Sequence, residues 1–421
     1  WLGLGGERSW ALRGYLSASR IAGDAAAIAA QQRSSRRYYQ RPEAHHLTYD
    51  PTRTSLSGWA GRVMLNKERG SVRVNSSLGA ISPGYEVNDL GYATRADQVN
   101  WHLALGYDWN EPTRAFRSRS IAAATFANWD FGGHPADRGF YSYAAGQFAN
   151  YVYAQVSVDL NPARFSHRAT RGGPVARLPA YRSFGLYASG DSRRSLQWEL
   201  DSSVWRTDDG SAGYHLAPSL TYQPRGALKV SVGPNLEWNH DLTQWVGRVD
   251  DPTMTATYGV RHLFGDMDYR ELGLTTRVDW TFSPALTLQS FVQPLLAAGD
   301  FRQLVEFARP GTFDFDRYGI DNGSTVAYDA AQRLYTIDPD GPGPAAPFTL
   351  PDPDFSFKSL KVNVVLRWEY RPGSTAYLAW THNRANAGHP GDFRAGRDLR
   401  ALLDTAGDNV VMLKITNWFQ L

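Results

Sequence analysis

The sequence predicts an all-β fold, an antiparallel transmembrane β-barrel with about 16 strands in this chain and long extracellular loops. Three observations carry that expectation. Apolar and polar residues alternate over long runs, aromatic residues close the ends of those runs, and the connections alternate between tight turns and long segments.

The alternation recurs along the chain. It is visible at Val72 to Ala80 and at Val99 to Trp109. Between 196 and 204, Leu196, Trp198, Leu200 and Val204 oppose Gln197, Glu199 and Asp201. The run from Leu228 to Trp238 follows the same scheme, and near 272 Leu272, Leu274, Val278, Trp280 and Phe282 oppose Glu271, Arg277 and Asp279. In "LKVNVVLRWEY" (360–370), Leu360, Val362, Val364, Leu366, Trp368 and Tyr370 share a face opposite Lys361, Asn363, Arg367 and Glu369. The closing stretch "DNVVMLKITNWFQL" puts Val411, Leu413, Ile415, Phe419 and Leu421 on one side. A side chain every second residue on one face is the period of a strand.

A large soluble sandwich would show the same period. The membrane reading is favoured by runs of roughly 9 to 15 residues, longer than the usual ~5 to 6, and by aromatic ends at Trp109, Trp238, Trp280, Trp368 and Tyr370. "QPRGA" (223–227), "FSPA" (282–285) and "YRPGS" (370–374) read as tight turns, whereas 20–53, 299–355 and 386–407 are long and polar or rich in Gly and Pro. The tight turns are expected on the periplasmic side. The segment 299–355 is expected to be an extracellular or plug loop without regular structure.

Composition narrows the function classes. With 14 Trp, 22 Tyr and no Cys, the chain has neither a disulfide framework nor a thiolate metal site. A net charge of +3 over 421 residues, with dispersed signs, gives no footprint for nucleic acid. No apolar run is long enough for a membrane-spanning helix, which leaves the barrel untouched. The sequence opens at Trp1 with no charged-then-apolar leader, so an export signal is expected to lie outside it.

Four stretches carry a family resemblance: "SPGYEVNDLGYATRAD" (82–97), "TRGGP" (170–174), "VEFARPGTFDFDRYG" (305–319) and "FSFKSLKVNVVLRWEYRPGS" (355–374). From about Trp10 to Leu421 the chain resembles the C-terminal outer-membrane barrel domain of unknown function that follows family-9-like carbohydrate-binding modules in Gram-negative bacteria. The resemblance implies that such a module and further barrel strands precede residues 1–421 of the barrel domain. It implies an outer-membrane location but no activity. It also makes the closing stretch similar to the signal read by the outer-membrane assembly machinery, with Leu421 in place of the more usual Phe.

Candidate chemistry is sparse. "GDSRR" (190–194) resembles the Gly-Asp-Ser opening of some serine esterases, but no histidine stands three residues after an aspartate, so Ser192 reads as a turn residue. Asp338, Asp340, Asp352 and Asp354 cluster among Pro and Gly, a set of hard oxygens that suits Ca²⁺, against the plainer reading of a solvated loop. His45 and His46 are adjacent and the other histidines are scattered, without metal-ligand spacing. Arg33, Arg36, Arg37 and Arg41 form a basic run beside Tyr38 and Tyr39, read as solvated loop charge, or else as a contact for lipopolysaccharide phosphates or an anionic glycan. No cofactor other than the Ca²⁺ candidate and no catalytic set is expected. The expected function is passage or capture of a solute such as a glycan at the cell surface. The alternatives are a membrane anchor or subunit beside other outer-membrane proteins and, third, a surface hydrolase.

Overall fold

The computed structural model describes residues 2–4 and 9–419. Its strands begin with β1 (Leu2–Leu4) and β2 (Trp10–Ala22), then helix α1 (Ala25–Arg33), then β3 (Ser55–Lys67), β4 (Val72–Ile81), β5 (Gln98–Trp109), β6 (Phe116–Trp129), β7 (Pro135–Phe148) and β8 (Tyr153–Asn161). They continue with β9 (Arg164–Ser166), β10 (Ala176–Leu178), β11 (Tyr181–Ser189), β12 (Leu196–Thr207), β13 (Ala212–Arg225), β14 (Leu228–Asp250), β15 (Val260–Ser283) and β16 (Leu286–Phe307). After these come β17 (Phe315–Arg317), β18 (Thr325–Asp329), β19 (Leu334–Asp338), β20 (Phe348–Pro351), β21 (Phe355–Arg371), β22 (Ser374–Asn386), helix α2 (Ala395–Asp404) and β23 (Asp408–Thr416).

One antiparallel meander runs through β1 to β8, β11 to β16 and β21 to β23, each strand paired with the next. The expected strand number is therefore close. Closure is not: among the described residues β23 pairs only with β22, and β1 only with β2, so the two edges do not meet there and the sheet is open rather than a sealed barrel. The described part of β1 covers only Trp10 to Leu12 of β2, which leaves the rest of that edge without a partner strand. Strand β23 confirms the alternation of Val411, Leu413 and Ile415, whereas Leu421 lies outside the described residues.

The connections alternate in length. At one end the strands are joined by short turns, such as Gly226–Ala227, Pro284–Ala285 and Pro372–Gly373; at the other they are joined by 23–54, 82–97, 162–180, 308–354 and 387–407. The last short turn works because Pro372 suits the first corner, while Gly373 takes φ +77°, which a side chain would oppose. The Gly-Asp-Ser stretch lies in another of these turns, where Asp191 bonds Arg193 and the Ser192 carbonyl accepts from Gln197.

Register places the apolar residues of successive strands in common rows. One row runs Val74, Leu105, Ala123, Ser142, Val158, Phe184, Val204, Tyr214 and Trp238. Another runs Leu228, Trp280, Leu288, Leu366, Leu378 and Leu413. Most of the large side chains on this face are exposed. Toward the short turns the face ends in aromatic pairs, Trp280 with Phe282 at 4.5 Å and Trp368 with Tyr370 at 5.8 Å between ring centres, and at the other rim Tyr214 meets Trp238 at 5.9 Å. Leu228, which faces Trp280, and Trp238 are ten residues apart on β14, roughly 33 Å along an extended strand.

Four strands exceed the expected length, β21 slightly with 17 residues and three by far. Strands β14, β15 and β16 have 23, 24 and 22 residues, because their far ends continue past the apolar band and pack against the 308–354 connection. Among the described residues two of three buried clusters sit there, with Leu263, Leu304, Tyr318 and Ile337 in one and Ala176, Phe264, Val305 and Phe307 in another; the third, Ile28, Tyr39 and Leu56, lies under the 23–54 connection. The long segment 299–355 is thus not structureless. Residues 299–307 complete β16, β17 adds to its edge, and β18, β19 and β20 form a small sheet.

The basic run is also corrected at two positions. Arg37 is fully buried, donates to Glu86 at 2.6 Å and to the Tyr85 carbonyl at 2.7 Å, and Arg41 donates to Asp97 at 2.5 Å. Burial would raise the Glu86 carboxyl, but the hydrogen bonds from Arg37 and Asn88 outweigh it and hold the group at about 2. A buried guanidinium needs such partners, so these residues stitch the 23–54 and 82–97 connections together.

Candidate ligand-binding site on the polar face

The face opposite the apolar rows carries a site built across six neighbouring strands. A single row, Trp205, Gly213, Asn239, Tyr269, Gly299 and Phe355, crosses β12 to β16 and ends on β21. The glycines alternate with large residues for a steric reason. A Cβ on Gly213 would lie 2.2 Å from Asn239 Oδ1 and 2.5 Å from Trp205 Nε1, and one on Gly299 would lie 2.4 Å from the Phe355 ring. Without those carbons, Trp205 Nε1 donates to Asn239 Oδ1 at 3.0 Å across Gly213, and the Phe355 ring leans over Gly299 to within 6.2 Å of Tyr269.

The neighbouring rows supply acids and amides. Glu237 and Glu271 face each other across β14 and β15. Asn239 donates to Glu237 at 2.5 Å, Asn235 donates to Glu271 at 2.9 Å, and the Tyr269 hydroxyl donates to the other Glu271 oxygen at 2.5 Å. These bonds fix the rotamers of the aromatic and acidic groups before any ligand arrives. Of these, Trp205, Glu237, Asn239, Tyr269 and Phe355, together with Asp241, Gln244, Trp245 and Phe301, border a cavity of about 850 Å³, within the range of small-molecule sites.

The four loop aspartates have separate tasks. Asp338 accepts from the Gly341 amide and Asp340 from the Ala345 amide, both as turn caps. Asp352 accepts from Tyr328 at 2.7 Å and from Arg333 at 2.8 Å. Burial opposes its charge, yet those donors keep its carboxyl below the usual range. Asp354 accepts from the Phe301 amide at 2.7 Å and so pins the end of the long connection to the cavity rim; burial raises its carboxyl. Among the described residues these aspartates do not converge as a cluster of three ligand atoms.

The aromatic and acidic row eluded sequence reasoning because its members are spread from 205 to 355 and meet only through register. The one available signal was glycine inside strand patterns, at 213 and 299, which marks close approach of neighbouring side chains.

An all-β meander with one exposed apolar face and one polar face, carrying its loops at one end, defines the class of this protein. The chain belongs to the family described as a domain of unknown function, DUF5916, whose model matches residues 22–420. No curated protein and no solved structure matches it.

Proposed function

We propose that this chain is the wall of an outer-membrane β-barrel in a Gram-negative bacterium and that its polar face captures or passes a glycan. The carrying observation is the cavity bordered by Trp205, Trp245, Tyr269 and Phe355 together with Glu237, Asn239, Asp241 and Gln244. Aromatic faces suit the C–H faces of sugar rings, and carboxylates and amides suit their hydroxyls.

The membrane part of the reading rests on the exposed apolar face, where Leu105, Phe184, Val204, Trp280 and Leu378 all stand open, the kind of contiguous apolar surface that marks an interaction with lipid or protein. Lipid, including lipopolysaccharide in the outer leaflet, is the partner that suits it. Inside a bilayer the edges of β2 and β23 need partner strands, because an unpaired backbone in hydrocarbon costs several kcal/mol per group. In this reading strands from outside residues 2–419 meet those edges, and the assembly machinery inserts the whole. The alternative is a membrane anchor for a surface complex, in which the cavity binds nothing.

Titrating the purified protein in detergent with a panel of neutral and acidic oligosaccharides, read by tryptophan fluorescence, tests the proposal. Saturable quenching is expected, with Trp205→Ala or Tyr269→Ala weakening it about tenfold, the equivalent of about 1.4 kcal/mol. Absence of binding across the panel, or binding untouched by both variants, leaves the anchor reading in its place.

A further inference from the structure

Separate from that cavity, three connections at the long-loop end bring together side chains that sequence keeps far apart. His46 comes from the 23–54 connection, Asp130 and His134 from the turn between β6 and β7, and His167 from the connection after β8. A ring nitrogen of His46, a carboxylate oxygen of Asp130 and a ring nitrogen of His134 lie within 4.8 Å of one another.

The proton on His46 is fixed by its neighbour. Its Nε2 lies 3.0 Å from both oxygens of Asp97, a carboxylate that also accepts from Arg41 at 2.5 Å and from the Phe131 amide at 3.0 Å. A carboxylate oxygen accepts, so in the neutral imidazole this geometry puts the hydrogen on Nε2 and leaves the lone pair on Nδ1. That Nδ1 is buried and has no hydrogen-bond partner. It points at the β6–β7 turn, where a Cβ on Gly132 would lie 2.5 Å from it and 2.8 Å from the His134 ring. A carboxylate that orients a histidine through one nitrogen and frees the other is the usual support for a metal-ligating imidazole.

His167 adds an independent observation. Its side chain is only 10% exposed, its Nε2 has no hydrogen-bond partner, and that atom lies 3.9 Å from Asp130 Oδ2. His134 Nδ1 stands 3.0 Å from the same oxygen. An N···O separation of about 3 Å is also what two ligands of one ion show when each sits ~2.0–2.1 Å from it. Arg41, the competing cation, is 3.8 Å from Asp130 and bonds more closely to Asp97. A cavity of about 270 Å³ bordered by Asp130, His167, Arg95 and Arg168 gives access from solvent.

We propose that His46 Nδ1, Asp130, His134 and His167 Nε2 bind one divalent first-row transition ion of the zinc type, with Asp97 as the positioning residue for His46. Three imidazoles and one carboxylate suit such an ion better than Ca²⁺ or Mg²⁺, which prefer all-oxygen shells. The ion would tie two long connections and the β6–β7 turn into one unit without entering the sheet.

The full chain, stripped with chelator in detergent and titrated with Co²⁺ and then Zn²⁺, supplies the test. One equivalent of Co²⁺ should bind, with the visible d–d absorption of a low-coordinate nitrogen and oxygen site, and Zn²⁺ should displace it. His46→Ala, His134→Ala and Asp130→Asn should each abolish the saturable phase. Asp97→Asn should weaken it roughly 10- to 100-fold at unchanged stoichiometry. Protease resistance of each metal-free variant, compared with metal-free wild type, separates loss of a ligand from loss of the fold. Absence of one-to-one binding to the wild type, or binding unchanged in a folded His46→Ala variant, overturns the proposal.

Discussion

Replacing Arg261 with Met should destabilise the long-loop end by about 3 to 5 kcal/mol, the cost of removing one partner from a buried ion pair. Arg261 and Glu306 are each 4% exposed at the side chain, and the guanidinium donates to Glu306 at 2.6 and 2.8 Å and to Asp251 at 2.7 Å. Tyr318, from the residue after β17, donates to Glu306 at 2.8 Å. Truncation leaves the Asp251 and Glu306 carboxylates buried without their shared cation, so Glu306 no longer has a fixed position from which to hold Tyr318. The 308–354 connection should then be cut by trypsin, at Arg317 first, under conditions where the wild type resists. Adding Glu306→Gln to Arg261→Met should recover part of the loss, because one of the orphaned charges is gone. A loss below about 1 kcal/mol would show that the network does not hold the connection in place.

Arginine at position 364 should cost about 2 to 4 kcal/mol of folding free energy in a bilayer, while arginine at position 363 should cost little. Val364 lies in a row with Ser290 and Trp380 on the apolar face, and Asn363 lies in the opposite row with Phe291 and Thr381, whose hydroxyl donates to Asn363 at 2.9 Å. The two residues are neighbours in sequence and differ only in the face they occupy. Urea unfolding from lipid vesicles measures both variants, and equal destabilisation would exclude opposite environments for the two faces.

How much of this was legible depended on the phase of the alternation. From Leu228 to Trp238 the period of two is unbroken, and the strand is plain. Beyond Asp241 the pairing of β14 with β15 shifts register at Asp241/Gln244 and again at Trp245/Gly247, so the far end of β14 cannot be followed by period alone. The same shifts carry Trp245 to the cavity rim. The paired carboxylates Glu237 and Glu271 follow from register between strands, which one sequence does not display. Histidines 46, 134 and 167 are illegible for a further reason. Each belongs to a different connection, and ligand spacing is informative only when ligands share one element. By contrast, the short turns at Pro284 and Pro372 were readable, because proline and glycine act through local backbone geometry.

The central claim, that one face of this sheet meets lipid and the other water, is tested most directly by a cysteine scan along β21, which the cysteine-free sequence makes clean. Single cysteines from position 361 to 366, labelled with a fluorophore in reconstituted vesicles, are exposed in turn to a lipid-attached quencher and to a water-soluble one. The account predicts quenching from lipid at 362, 364 and 366 and from water at 361, 363 and 365. Equal response to the aqueous quencher at all six positions, in a protein that floats free of the vesicles, would contradict it.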